Sequence, residues 1–245
     1  MLAIAIPSFN RPHYLKQVLE ALEKEPLHFP PAFNDLTTRV IVSYDRHDSC
    51  DPTVALQSKV VNQVIVHKAQ HGHPLGITRH VQWLLNHCVR QGHNYVMLLE
   101  DDCVPFGDWK TYVGERLLQG NDVIPLHPDC YRIGQNVSSF GLKVDMRSER
   151  TSSWGVIMSR KFIIDMNSYS TMQEYDWDYS LNDCLDAEGY RKLVYCPAVP
   201  RVKHIGVNGL HFNEQNYPAI LTEAYQEAER LFNNLTQNDT TKAGP

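Results

Sequence analysis

What this chain lacks narrows its chemistry first. It has no G-x-G-x-x-G and no G-K-[ST], so neither a dinucleotide fingerprint nor a P-loop is present. G-x-S-x-G and H-E-x-x-H are also missing, which removes the hydrolase nucleophile elbow and the zincin helix. The six cysteines, at positions 50, 88, 103, 130, 184 and 196, never fall at C-x-x-C spacing. That argues against a zinc ribbon or a thioredoxin-type site. Apolar runs such as Tyr95–Leu99 fall far short of the ~20 residues a membrane span needs. No basic segment accompanies the opening LAIAI, so Leu2–Ile6 reads as a first strand and not as a signal peptide. This predicts a cytoplasmic protein with free thiols, in which the sequons at Asn136, Asn234 and Asn238 carry no sugar. Positive charge is not in excess: 23 Lys and Arg stand against 28 Asp and Glu, a net charge of -5. Such a balance argues against a protein that coats nucleic acid or an anionic membrane.

What is present is an ordinary globular composition. The 245 residues are 42% hydrophobic and 21% charged, enough for a core without disulfide or structural metal. No internal repeat or linker divides them. The first half alternates strand and helix: Leu2–Ile6, a helix opened by Pro12, then Arg39–Tyr44, Val60–His67, a helix over Ile77–Arg90 and Tyr95–Leu99. That order predicts an α/β fold with a mostly parallel central sheet flanked by helices. The second half is less regular. Helices are predicted over Trp109–Leu118, Lys161–Asn167, Asp176–Glu188 and Tyr217–Asn234, and strands over Asp122–Leu126, Trp154–Met158 and Leu193–Cys196. Residues 237–245, polar and ending in Gly-Pro, read as a flexible tail.

The chemistry concentrates after the strands. Glu100, Asp101 and Asp102 directly follow the apolar Tyr95–Leu99. Ligands of open parallel sheets bind beyond the carboxyl ends of strands, and three adjacent acids there repel one another. A hard divalent cation, Mn²⁺ or Mg²⁺, would relieve that repulsion; a solvated turn is the plain alternative. Pro7-Ser8-Phe9-Asn10-Arg11-Pro12 joins the first strand to the first helix. Backbone N–H groups at a helix start and a nearby Arg favour an anion such as a diphosphate, although Asn10 could equally be a helix cap. Asp45, after the second strand, suits either a ribose or base contact or a turn. Asp176 and Asp178 open a predicted helix, where acids favour the dipole but are also rigidly held, as a general base must be. His204 reads as following the last strand, and His71 with His73 lacks an identifiable third zinc ligand.

In their order these segments resemble a glycosyltransferase of the GT-A fold. PSFNRP resembles the donor-binding opening of family 2 transferases, and Asp45 resembles their base- and ribose-contacting Asp. GHPLGITRHV, which carries Arg79, resembles the glycine-to-arginine segment before the central helix. LLEDD resembles the DXD metal motif, in the E-D-D form of the N-acetylglucosaminyltransferase I group. SSWGVIMSR resembles the acceptor-side W-G segment, and EYDWDYSLNDCLDAEGYRKLVYCPAV the block that carries the catalytic base. VKHIG resembles the late His that completes the metal site. Two segments depart from the pattern: DRHDSCD stands where D-x-D-S/G is usual, and Tyr175-Asp176 where the E-D pair is usual.

The resemblance implies one catalytic domain over residues 1–236, with a nucleotide-sugar half (1–104) and an acceptor half (105–236). It implies a UDP-sugar donor, or a GDP-sugar, bound near Pro7, Phe9, Asn10, Arg11, Asp45, Arg79 and Asp101. It implies Mn²⁺ or Mg²⁺ on Asp102 with Glu100 and His204. Asp176 or Asp178 would deprotonate the hydroxyl of a glycan or other acceptor, with inversion at the sugar. Two other readings stand beside this one. The domain could bind a nucleotide-sugar or glycan without turnover. A metal-dependent nucleotidyl or phosphoryl transferase would share the acids, but PSFNRP lacks the glycines of such enzymes.

Overall fold

The computed structural model describes residues 1–24, 27, 29, 37–45, 50–67, 75–128, 145–147, 151, 153–168, 177–187, 189–190, 194–206 and 218–242. Its ten strands are β1 (Leu2–Ser8), β2 (Thr38–Tyr44), β3 (Val61–Val66), β4 (Tyr95–Leu98), β5 (Cys103–Pro105), β6 (Val123–Pro125), β7 (Asp145–Arg147), β8 (Val156–Ser159), β9 (Tyr195–Pro197) and β10 (Val202–His204). The helices are α1 (Pro12–Glu23), α2 (Thr53–Gln57), α3 (Ile77–Arg90), α4 (Trp109–Leu118), α5 (Arg160–Ser168), α6 (Trp177–Ala187) and α7 (Pro218–Lys242).

Six strands form the central sheet in the order β3-β2-β1-β4-β8-β6. β3, β2, β1 and β4 pair in parallel, whereas β8 runs antiparallel to both β4 and β6. The sheet is therefore mostly parallel, as the alternation of the first half predicts, with one reversed strand from the second half. β1 is buried from end to end because both faces are covered, which explains its unbroken apolar run. Its side chains alternate between two cores. Leu2, Ile4 and Ile6 join Leu15, Val18, Leu19 and Leu22 of α1. Ala3 and Ala5 face Val81, Leu84, Leu85 and Cys88 of α3. β4 splits likewise, Val96 and Leu98 to one side and Met97 to the other. Cys88 and Cys103 are buried free thiols. No helix among the described residues is long and apolar enough to cross a membrane.

The structure departs from the sequence reading at short elements. β5 and β10 form a separate antiparallel pair of three residues each, too short for any periodicity to show. Pro7 and Ser8 belong to β1 and not to the loop after it. α7 runs to Lys242, past Asn234, so residues 237–242 continue that helix. Ala224, Tyr225, Ala228 and Phe232, one face of α7, pack on Val199 in a third core beside Phe106 and Trp154.

Arg201 ties this third core to α4. Its side chain is only 2% exposed. Nε donates to Asp108 Oδ1 at 2.8 Å, one amino group donates to the Val199 carbonyl at 3.0 Å, and the guanidinium lies 4.1 Å over the Tyr112 ring. Asp108→Ala would leave that buried cation without its carboxylate. It is expected to cost about 2–3 kcal/mol, measured by urea unfolding. Arg201→Met, which removes the charge itself, is expected to cost less, and the opposite ranking would show that the ion pair is not the tie.

Candidate active site

The site begins where β4 ends. Leu99 N–H still bonds to the Ala5 carbonyl, so the chain stays locked to β1 until the acids begin. Cys103 N–H then donates to the Glu100 carbonyl at 2.9 Å, closing a tight turn into β5. This turn sends adjacent carboxylates to different neighbours.

Asp101, fully buried, faces the end of β1. Ser8 Oγ donates to its Oδ2 at 2.8 Å, and the Phe9 N–H donates to the same oxygen at 3.4 Å. Arg11 forms ion pairs with both Asp101 and Asp102. The loop after β1 and the acidic turn after β4 are thus one cross-linked unit. Phe9, at 39% exposure, and Asn10 lie on its outer lip.

Asp102 faces β10. The β5–β10 register sets His204 opposite Cys103, and the Ile205 N–H donates to the Asp102 carbonyl at 2.8 Å. His204 Nε2 lies 3.5 Å from Asp102 Oδ2, and the Trp154 ring stacks on the imidazole at 4.4 Å. His204 is therefore the last residue of a strand and not a residue beyond one, because the strand is too short to be read from the sequence. Gly206 closes the far side. A Cβ there would stand 2.8 Å from Asp102 Cγ, so only glycine leaves the carboxylate its place. Ser8 and Gly206 lie inside PSFNRP and VKHIG, but the sequence reading gives neither a role in the site.

One ligand atom each from Glu100, Asp102 and His204 lies within 4.8 Å of the others. Two carboxylate oxygens and one imidazole nitrogen suit a divalent cation that keeps open positions for water and phosphate oxygens. The electrostatics agree with this donor set. Burial, then the charge of Asp102, pushes Glu100 up to about 8, and Asp178 of α6 adds to the push. Burial raises Asp101 to about 6 against the pull of Arg11. Burial would raise Asp102 too, but His204 and Arg11 outweigh it and hold that carboxyl below its usual value.

The other predicted residues fall as follows. Asp178 lies in the first turn of α6, half-buried, with its charge felt at Glu100. Asp176 lies outside the described residues. Pro7 is buried inside β1. Asp45 is buried and accepts the N–H groups of Leu75 and Gly76, each at 2.8 Å, at the start of α3. That arrangement anchors the helix with a favourable charge at its N-terminus. Arg79 is exposed in the first turn of α3.

No protein-family model matches the chain, and no curated protein matches it in sequence. Solved structures do match. Staphylococcus aureus TarS 1-349 shares 15% identity at a TM-score of 0.52, over 91% of this chain and 70% of that one. TarS 1-349 in complex with UDP gives 14% and 0.53 over the same shares. A longer TarS chain gives 16% and 0.48 over 75% of this chain. The present chain spans about a third of it, 33%. At these identities the likeness lies in the fold alone.

The raised carboxyls fix a pH dependence. Glu100 ionises near 4.5 when unfolded and about 8 when folded, so between these values the folded state holds a proton that the unfolded state has lost. Its stabilising contribution is lost as the pH rises through that window. Asp102, held low, works oppositely and loses its contribution only on acidification below 3.8. Without divalent cations the difference in melting temperature between Glu100→Gln and wild type is expected to shift in the variant's favour from pH 5 to pH 8; the buried neutral histidines His80 and His127 act in the opposite sense but alike in both proteins. A difference that does not change with pH would show that Glu100 does not contribute to the slope.

Proposed function

We propose that the chain is a metal-dependent glycosyltransferase that moves a hexosyl or N-acetylhexosaminyl group from a nucleotide-sugar to an acceptor hydroxyl. The observation that carries this reading is the Glu100–Asp102–His204 donor set at the carboxyl end of β4. Its setting, a fold shared with a protein solved in complex with UDP, makes a UDP-sugar the favoured donor.

In this reading residues 1–104 bind the nucleotide and residues 105–236 the acceptor. The lip of the β1–α1 loop, Phe9 and Asn10, meets the nucleoside, and Arg11 meets the diphosphate. Glu100, Asp102 and His204 would hold a divalent ion, which would supply Lewis-acid stabilisation of charge on the departing diphosphate. Trp154, stacked on His204, borders the sugar and the acceptor. Asp178, in the first turn of α6, or Asp176 takes the proton of the acceptor hydroxyl as it attacks the anomeric carbon, and a single displacement inverts that centre. Asp178 is supported by its electrostatic reach to Glu100, and Asp176 by its place in the resembling motif.

Calorimetric titration with UDP is expected to show binding in Mn²⁺ that chelator removes and that Asp102→Asn weakens at least tenfold. Wild-type protein that binds no UDP at millimolar concentration in Mn²⁺ would overturn the reading.

The base is tested separately, once a donor that is turned over has been found by UDP release. Either Asp176→Asn or Asp178→Asn is expected to lower kcat by ~10²–10⁴-fold with UDP affinity kept. If both variants turn over normally, no base lies at this helix start.

A further inference from the structure

We propose that Tyr225 of α7, together with His127, positions His204 as a cation ligand. This rests on reading Glu100, Asp102 and His204 as a divalent-cation site, and it assigns to the last helix a part in that site.

His204 needs support because its strand offers little. β10 has three residues and, among the described residues, pairs only with β5. A two-stranded pair this short is marginal by itself. Its ladder bonds alternate. Ile205 N–H donates to the Asp102 carbonyl, and Phe106 N–H donates to the Arg201 carbonyl. In an antiparallel ladder this alternation turns the N–H of residue 204 away from β5. Tyr225 Oη accepts that N–H at 2.9 Å.

The tyrosine hydroxyl is itself oriented. His127, fully buried, has Nδ1 2.7 Å from the Pro128 carbonyl oxygen. A carbonyl only accepts, so Nδ1 carries the proton. Burial holds this imidazole neutral, with its pKa lowered to about 3. Nε2 is then an acceptor, and Tyr225 Oη, 3.0 Å away, must donate to it. The hydroxyl therefore donates to His127 and accepts from His204, with no alternative arrangement of the protons. The surrounding core of Val199, Ala224, Ala228 and Phe232 is apolar. Phenylalanine would pack there as well, so packing alone does not account for the hydroxyl. Trp154 completes the support, stacking on the His204 ring at 4.4 Å and meeting the His127 ring edge-on at 4.9 Å. Backbone and ring of His204 are thus both referred to His127.

The test is a double-mutant cycle read by Mn²⁺ affinity, measured by electron paramagnetic resonance of free Mn²⁺ at fixed pH, with no turnover required. Tyr225→Phe is expected to weaken Mn²⁺ binding about tenfold, the low end for groups that orient a metal ligand. In a His204→Ala background the same change is expected to have no further effect. A purely structural role would lower the melting temperature alike in both backgrounds without this coupling. His127→Gln, whose amide can replace both bonds of the imidazole, is expected to keep most of the affinity, and His127→Leu to match Tyr225→Phe. Where Tyr225→Phe does not fold, His127→Leu takes its place in the cycle. Wild-type affinity in Tyr225→Phe, or equal weakening with and without His204, would overturn the proposal and leave the cation site standing. Failure of the wild-type protein to bind Mn²⁺ would overturn the site itself, and the proposal with it.

Discussion

Three carboxylates on consecutive residues at the end of a buried strand repel one another, and the structure around them is arranged to meet that repulsion. Asp101 and Asp102 are almost wholly buried, and Glu100 is half-buried beside them. Water screens them little, so each needs a positive partner or a proton. Arg11 serves two of them and His204 stands beside Asp102. Glu100 answers by holding its proton to a higher pH. The cost falls on stability.

The same cluster organises the chain around it. Through Ser8, the Phe9 backbone and Arg11, it fixes the loop that leads from β1 into α1. Through the β5–β10 pair it draws a strand from late in the chain against a turn from the middle. The final helix closes over that pair, with Phe232 packed on Gly107 and Tyr225 bonded to the His204 backbone. Gly107 has a φ of +66°, and its missing side chain leaves room for the Phe232 ring. Elements far apart in sequence therefore meet at one carboxylate turn.

Much of the parallel half was legible beforehand because local pattern and tertiary role coincide there. Leu2–Ile6 and Tyr95–Leu99 are unbroken apolar runs since both faces of the sheet are covered, and such runs have few other uses in a short segment. The spacing of Tyr14, Leu15, Val18, Leu19 and Leu22 matches the buried face of α1. Glu100 and Asp102 stood out because acids at the end of such a strand are unusual. Pro7 reads from the sequence as loop because PSFNRP is dense in turn residues, yet the parallel neighbours carry β1 through to Ser8. Asp45 shows the opposite limit. Its chemistry suits a ribose contact or a turn alike, and only the fold brings it to the Leu75 and Gly76 amides.

The sequence by itself determined the α/β class, the strands and helices with strong periodicity, and the acids that could hold a cation. Each of these is written in neighbouring residues, within the reach of one strand or one helix. Tertiary structure alone decided that β8 runs against its neighbours, and that His204 reaches Asp102 through a three-residue strand. It also decided that His127 and Tyr225 stand behind His204. The physical reason is common to all three. A hydrogen bond or a carboxylate–imidazole contact needs two groups at a defined distance, and no periodicity within either segment encodes where the other will lie.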